Sequence, residues 1–127
     1  MTPMNPEEQE RYSRQIKLPQ VGKHGQQRLL DAQVLIIGMG GLGSPVALYL
    51  ASAGIGRLTI TDFDRVDESN LQRQVIHTQE MIGRLKAESA RHAIEQLNPE
   101  CKVEALDYEL DGETLLERVR SADVVVD

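Results

Sequence analysis

The chain has 127 residues, 40% of them hydrophobic and 27% charged, a composition that suits one globular domain and excludes a disordered chain. Fourteen Lys and Arg against twenty Asp and Glu leave a formal net charge of −6, which argues against a nucleic-acid-binding surface. No apolar run reaches membrane-spanning length, "MTPMNPEEQE" lacks the basic-then-apolar order of a signal peptide, and the single Cys101 can make neither an internal disulfide nor a Cys-based zinc cluster. A soluble cytoplasmic protein with an idle, buried thiol is expected, with no nucleic-acid or membrane partner.

"NPEEQERYSRQI" opens with helix-start signals: Asn5 can cap, Pro6 suits the first turn, and Glu7 and Glu8 favour the positive end of the dipole. A short helix over residues 25–31 follows the break at "LPQVGKHG", so residues 1–31 read as a helical arm. "QVLIIG" is then a buried strand running into a glycine loop, and "SPVALYLASAG" is a helix stopped by Gly54. "RLTITD" is a second strand ending on Asp62, and "FDRVDESNLQRQVIHTQEMIG" is a connection about twice the usual length, the mark of a functional loop. "RLKAESARHAIEQLN" is a helix with Ala87, Ala90, Ile94 and Leu97 on one side. "CKVEALDY" is a third strand, "DGETLLERVRSA" a helix with Asp111 able to cap it, and "DVVVD" a fourth strand, expected to be buried.

This alternation predicts an α/β fold: a doubly wound, Rossmann-like parallel sheet over residues 32–127 in the order 3-2-1-4. The crevice should open between strands one and four, where Gly38 and Asp127 end their strands. Domains seldom stop at the tip of a buried strand, so the expectation is the front part of a longer protein, cut after its fourth strand.

In "GMGGLG", Gly38 allows a tight turn, Gly40 lets backbone approach a phosphate, and Gly43 lets the helix pack close to the sheet; Gly41 is an extra glycine. The helix start offers free N–H groups and a positive dipole end to an anion. Asp62, nineteen residues after Gly43, is placed to accept hydrogen bonds from ribose hydroxyls. Loop and acid together indicate a nucleotide with a ribose, and leave a nicotinamide cofactor and ATP both open. The next loop carries Asp64, Asp67, Asn70, Arg73 and Gln74, and Lys86 starts the following helix. Nucleotidyl transfer needs fixed cations near the phosphates, and hydride transfer has no evident use for them. Taken alone, Lys86 would be a solvated helix residue and Arg73 half of a weak surface ion pair.

"RYSRQI", "VLIIGMGGLGSPVALYLASAGIG", "LTITDFDRVDESNLQRQVIH" and "GRLKAESA" resemble, in this order and spacing, the bacterial adenylyltransferases of the ThiF/MoeB/HesA type, relatives of ubiquitin-activating enzymes. The resemblance runs from Arg11 to Asp127, with "SNLQRQ" its most specific block. It implies ATP-dependent adenylation of the C-terminal glycine carboxylate of a small ubiquitin-like sulfur-carrier protein, giving acyl-adenylate and pyrophosphate, for molybdenum-cofactor, thiamine or other sulfur transfer. It implies that Gly38, Gly40, Gly41 and Gly43 line the phosphates, that Asp62 holds the ribose, and that Asp64, Ser69, Asn70, Leu71, Gln72, Arg73 and Lys86 complete the nucleotide site. Arg14, Arg73 and Lys86 would be catalytic, Arg73 and Lys86 from opposite sides and Arg14 by reaching the active site of the neighbouring subunit in a homodimer.

No base is needed to ionise a carboxylate nucleophile, so His24, His77 and His92 are expected to be structural or surface residues. The family's magnesium-binding aspartate lies three residues beyond Asp127, so no metal ligand is expected in this chain, and zinc only in a longer form with Cys-x-x-Cys pairs. Two other readings stand beside this one: a fragment of an NAD-dependent oxidoreductase, and a non-catalytic dimerisation module.

Overall fold

The computed structural model describes residues 2–127. Four strands, β1 (Gln33–Ile37), β2 (Arg57–Thr61), β3 (Lys102–Leu106) and β4 (Val124–Val126), form one parallel sheet in the order β3-β2-β1-β4. The helices α4 (Gly43–Ala53), α5 (Lys86–Leu97) and α6 (Gly112–Ser121) are the crossovers. The predicted strand order is therefore the observed one, and the switch point lies between β1 and β4.

Period-two alternation sorts the core into two layers. Val34 and Ile36 join Leu58 and Ile60 beneath α4 and α5, whereas Leu35 packs with Leu106, Leu110 and Leu115 toward α6. Ala47, Ala51, Ala87 and Ala90 are fully buried, and their small side chains let α4 and α5 approach each other and the sheet. Thr114 Oγ1 accepts the Asp111 N–H at 3.2 Å where α6 begins.

Four local expectations are corrected. The first predicted helix is two, α1 (Pro6–Arg11) and α2 (Ser13–Ile16), because Tyr12 leaves helical geometry (φ −102°, ψ 14°). Its ring is 1% exposed, and its hydroxyl accepts from Asn98 Nδ2 at 2.8 Å, which ties the arm to the end of α5. The next helix, α3 (Gly22–Asp31), starts three residues earlier than the sequence suggested, at a glycine with φ +63°. Finally, β4 is an edge strand, so Val124 and Val125 are exposed; a β-branched run specifies a strand without specifying its neighbours. Leu97 likewise sits on the exposed last turn of α5, while Ala87, Ala90 and Ile94 face the core as the spacing predicted.

Candidate functional site

The carboxyl ends of β1, β2 and β4 bring Gly38, Asp62 and Asp127 to one edge of the sheet. Two clefts open there and share Gly38 and Asp127. One, of about 320 Å³, is lined by Gly40, Gly41, Leu42, Gly43 and Val126. The other, of about 400 Å³, is lined by Asp62, Phe63, Asp64, Glu109 and Leu110. A further cleft of about 410 Å³ lies at the amino ends of the strands, against Asn5, Glu8 and Arg57, and holds no glycine loop.

The four glycines of the loop have different reasons. Gly38 has φ +94°, a conformation L side chains rarely adopt. A Cβ on Gly43 would lie 2.3 Å from the Gly38 carbonyl oxygen, so close passage of the helix start over the turn requires glycine there. Gly40 and Gly41 are different: a Cβ at either would meet only the Gln74 amide at 3.7 Å or Arg73 Cδ at 3.9 Å. Nothing in the fold demands their bareness, which suits a surface that something else approaches.

Arg73 and Gln74 thus lie against the glycine loop although some thirty residues separate them in sequence. The long connection achieves this with local hydrogen bonds. A 3-10 turn at Glu68–Asn70 is capped by Asp67, whose carboxylate accepts from the Ser69 N–H and hydroxyl, while Asn70 Oδ1 accepts the Asp67 N–H at 2.9 Å. These bonds hold the Asp67 carboxyl below its usual range. They occupy the oxygen of Asn70 and not its two N–H donors. Leu71 and the exposed Gln72 follow in the same turn, and Arg73 is exposed, one N–H reaching the Ser69 carbonyl at 3.3 Å. Gln74 is buried, and its Oε1 is a buried acceptor with no partner among the described residues.

Asp62 has a structural task beside the one the sequence suggested. Its two oxygens accept the backbone N–H groups of Met39 (2.7 Å) and Asp64 (2.8 Å), fixing the glycine loop to the exit of β2. Each oxygen keeps a further lone pair for a ligand hydroxyl. Lys86 opens α5 with its N–H donating to the Asp64 carbonyl at 2.8 Å. The residue is only 7% exposed, and its side chain forms no ion pair with the described residues. Its ammonium is not among the buried polar atoms that lack a partner, so the stem is covered while the charged end stays open to solvent and to an arriving anion.

Arg14 is exposed, and the chain does not bring it to its own loop. Its neighbour Gln15 donates to the Ala53 carbonyl, at the far end of α4 from Gly43. That helix has eleven residues, which at 1.5 Å each separates the two ends by roughly 15 Å.

His77, expected to be a structural or surface residue, is buried under the loop, with Nε2 3.0 Å from the Met39 carbonyl and Nδ1 2.8 Å from Ser89 Oγ. His24 and His92 are exposed. No cluster of three or more His, Cys, Asp or Glu able to hold a metal ion occurs among the described residues. Nor is any helix among them long and apolar enough to cross a membrane.

Residues 12–127 match the model of the ThiF family. The chain is 52% identical over 124 residues to the sulfur carrier protein ThiS adenylyltransferase of Escherichia coli K12, covering 98% of this chain and 49% of that protein. It is 50% identical over 121 residues to the sulfur carrier protein adenylyltransferase of Thermus thermophilus, covering 95% and 45%. Among solved structures it superposes on E. coli tRNA N6-threonylcarbamoyladenosine dehydratase, TcdA, in complex with ATP, with a TM-score of 0.86 and 30% identity over 95% of this chain and 49% of that one. The chain spans about half the length of these relatives. With the glycine loop, the acidic exit of β2 and the "SNLQRQ" turn in one Rossmann-like fold, the chain belongs to the ThiF family.

Proposed function

We propose that this chain carries the nucleotide half-site of a cytoplasmic, ATP-dependent adenylyltransferase that activates a small ubiquitin-like sulfur-carrier protein. The C-terminal carboxylate oxygen of the carrier attacks the α-phosphorus of ATP, the bond to the bridging oxygen of the β-phosphate breaks, and acyl-adenylate and pyrophosphate result. The nucleophile is already ionised, so the protein's work is positioning and charge stabilisation. The loop Gly38–Gly43 and the start of α4 receive phosphate oxygens, and Asp62 accepts from the ribose. Asp64 and the Ser69–Gln72 turn complete the border, and Arg73 and Lys86 neutralise the charge that develops on the phosphates.

The observation that carries this reading is the pairing of an exposed Arg73 beside Gly41 with a Lys86 whose stem is covered and which forms no ion pair among the described residues. A hydride-transfer site would leave both cations without a task. Residues 1–31 act as an arm outside the nucleotide domain of residues 32–127, and the distance of Arg14 from its own loop supports a role in the site of a second copy in a homodimer.

Thermal unfolding with ATP–magnesium and, separately, with NAD tests the ligand, because binding only to the folded state raises the melting temperature. Stabilisation by ATP and not by NAD is expected. Stabilisation by NAD alone refutes the reading, and self-association with no nucleotide-dependent shift favours an interaction module. In the full-length protein, Arg73→Ala and Lys86→Ala are expected to cut ATP–pyrophosphate exchange by about a hundredfold or more. Mixing Arg14→Ala with Arg73→Ala should restore part of the exchange if Arg14 acts across the dimer.

A further inference from the structure

The peptide units around Met39 are held from two sides. The Met39 N–H donates to Asp62 at 2.7 Å, and the Met39 carbonyl faces His77 Nε2 at 3.0 Å. Met39 itself is completely buried, in a loop whose other members include Gly38, Gly40, Gly41 and Gly43; Gly38 donates to the Thr61 carbonyl at 2.9 Å and the Gly40 carbonyl accepts from the Ser44 N–H at 3.0 Å. The opposite ring nitrogen of His77 lies 2.8 Å from Ser89 Oγ, one turn beyond Lys86 on α5.

A carbonyl oxygen only accepts, which assigns the ring proton to Nε2. Nδ1 is then an acceptor, and the Ser89 hydroxyl donates to it. Burial pushes the His77 pKa down and outweighs the help that the Met39 carbonyl gives the charged form; the positive charge of Lys86 adds to the lowering, and Asp62 opposes it least. The ring is therefore held neutral, with one donor and one acceptor, and both are in use.

We propose that His77 is a positioning residue for the nucleotide loop: it fixes the Gly38–Gly43 loop in its anion-receiving shape and sets its spacing from the helix that carries Lys86. His77 acts on the site through Met39 and Ser89. A loop this rich in glycine samples many conformations when unanchored, and each must be frozen out when a ligand binds. Asp62 fixes one end of the Met39 unit; at the other, the Ser44 hydroxyl reaches the Met39 carbonyl only at 3.5 Å, while the Gly40 carbonyl accepts from the Ser44 N–H at 3.0 Å. The 3.0 Å bond from His77 is the shorter hold on the Met39 carbonyl and restricts its rotation further. The bond to Ser89 makes the spacing between the loop and Lys86 a property of the fold rather than of the bound ligand. The inference rests on the reading of this loop as a nucleotide site.

The test compares His77→Leu, His77→Gln and Ser89→Ala with the unaltered chain, by backbone amide hydrogen exchange and by calorimetric titration with ATP–magnesium. Gln keeps an N–H donor near the position of Nε2, whereas Leu fills space without one. In His77→Leu, the amides of Met39, Gly40 and Gly41 should exchange about tenfold faster relative to those of β1 and β2, the factor that accompanies loss of one buried hydrogen bond. ATP affinity should fall by a similar factor, and Gln should recover most of both losses. Ser89→Ala removes only the tether to α5 and should give a smaller rise at the same amides, which keeps the test open if the Leu variant does not fold. Unchanged loop exchange, a uniform rise across all strands, or failure of Gln to rescue would overturn the inference. An unaltered chain that fails to bind ATP refutes the nucleotide reading alone, because the exchange comparison still decides whether His77 anchors the loop.

Discussion

Replacing each glycine of the loop by alanine separates the demands of the fold from those of the ligand. At position 43 the new methyl carbon would stand 2.3 Å from the Gly38 carbonyl oxygen and 3.2 Å from its carbon. Contacts of that kind are not found below 3.0 Å, so either the turn or the start of α4 must withdraw by about 0.7 Å. The obstacle is backbone and cannot rotate away as a side chain would. Overpacking of this kind costs about 1–3 kcal/mol, and the upper part of that range is expected. Removing glycine's unfolded-state freedom offsets about 0.4–1 kcal/mol. Gly38→Ala faces no atom within 4 Å but must hold φ +94°, so its cost is backbone strain of about 1–3 kcal/mol. Gly41→Ala meets only Arg73 Cδ at 3.9 Å and should leave stability within about 0.5 kcal/mol of the starting protein. Its methyl would nevertheless crowd the surface that phosphate oxygens need, and ATP affinity should drop at least about tenfold. Urea unfolding followed by circular dichroism reads the first quantity and calorimetric titration the second. Equal destabilisation by Gly41→Ala and Gly43→Ala, or an unchanged ATP affinity for Gly41→Ala, would refute this division.

Tyr12→Phe removes the hydroxyl that accepts from buried Asn98 Nδ2, leaving that N–H pair with the Ala51 carbonyl alone; a loss of about 1–3 kcal/mol in urea unfolding is expected. Cys101 is buried and its thiol is pushed up to about 11, so at neutral pH it should react with iodoacetamide only as fast as the protein opens, and rapid labelling of the native chain would contradict its burial. The depressed pKa of His77 means that, as pH falls below the ordinary value of 6.5, the unfolded chain binds a proton that the native ring still refuses. The associated stability is full above that pH and shrinks below it, with a slope of at most about 1.4 kcal/mol per pH unit, and His77→Gln should flatten the profile between pH 7.5 and 5.5. Parallel profiles for the two proteins would show that His77 is not the titrating group.

The architecture was legible because its signals are local and repeated. Apolar strands alternating with helices gave the order of elements, and handed crossovers gave the strand order. The spacing of Gly38, Gly40 and Gly43 located the turn, and its distance to Asp62 located the partner strand. Less legible were features set by packing across long separations. The kink at Tyr12 follows from burial against Asn98, eighty-six residues away, which no helical pattern in "QERYSRQ" reports. His77 lies in a loop of mixed polarity, and a lone histidine there carries no spacing signal. Its contact with Met39 spans thirty-eight residues, and the only hint was its place directly after "SNLQRQVI". The sequence likewise suggested only a ligand role for Asp62, because its bonds to Met39 and Asp64 are made to backbone, which has no residue signature.

On the proposed reading of the loop as a nucleotide site, these bonds explain how a glycine-rich sequence can form a fixed receptor for an anion. The groups offered to the ligand, the bare faces of Gly40 and Gly41 and the cations Arg73 and Lys86, are bound weakly or not at all by the rest of the chain. The groups that give the site its shape, Asp62 and His77, are committed to Met39. If the same residues had to do both, every bond to a phosphate would be made at the expense of a bond that holds the loop. Because the anchoring bonds converge on one buried residue between two glycines, the loop can be rigid where it is attached and open where it is approached. A neutral His77 fits this division: a second buried cation next to Lys86 would compete for the incoming charge, whereas a neutral donor holds the loop and leaves the field of Lys86 to the ligand.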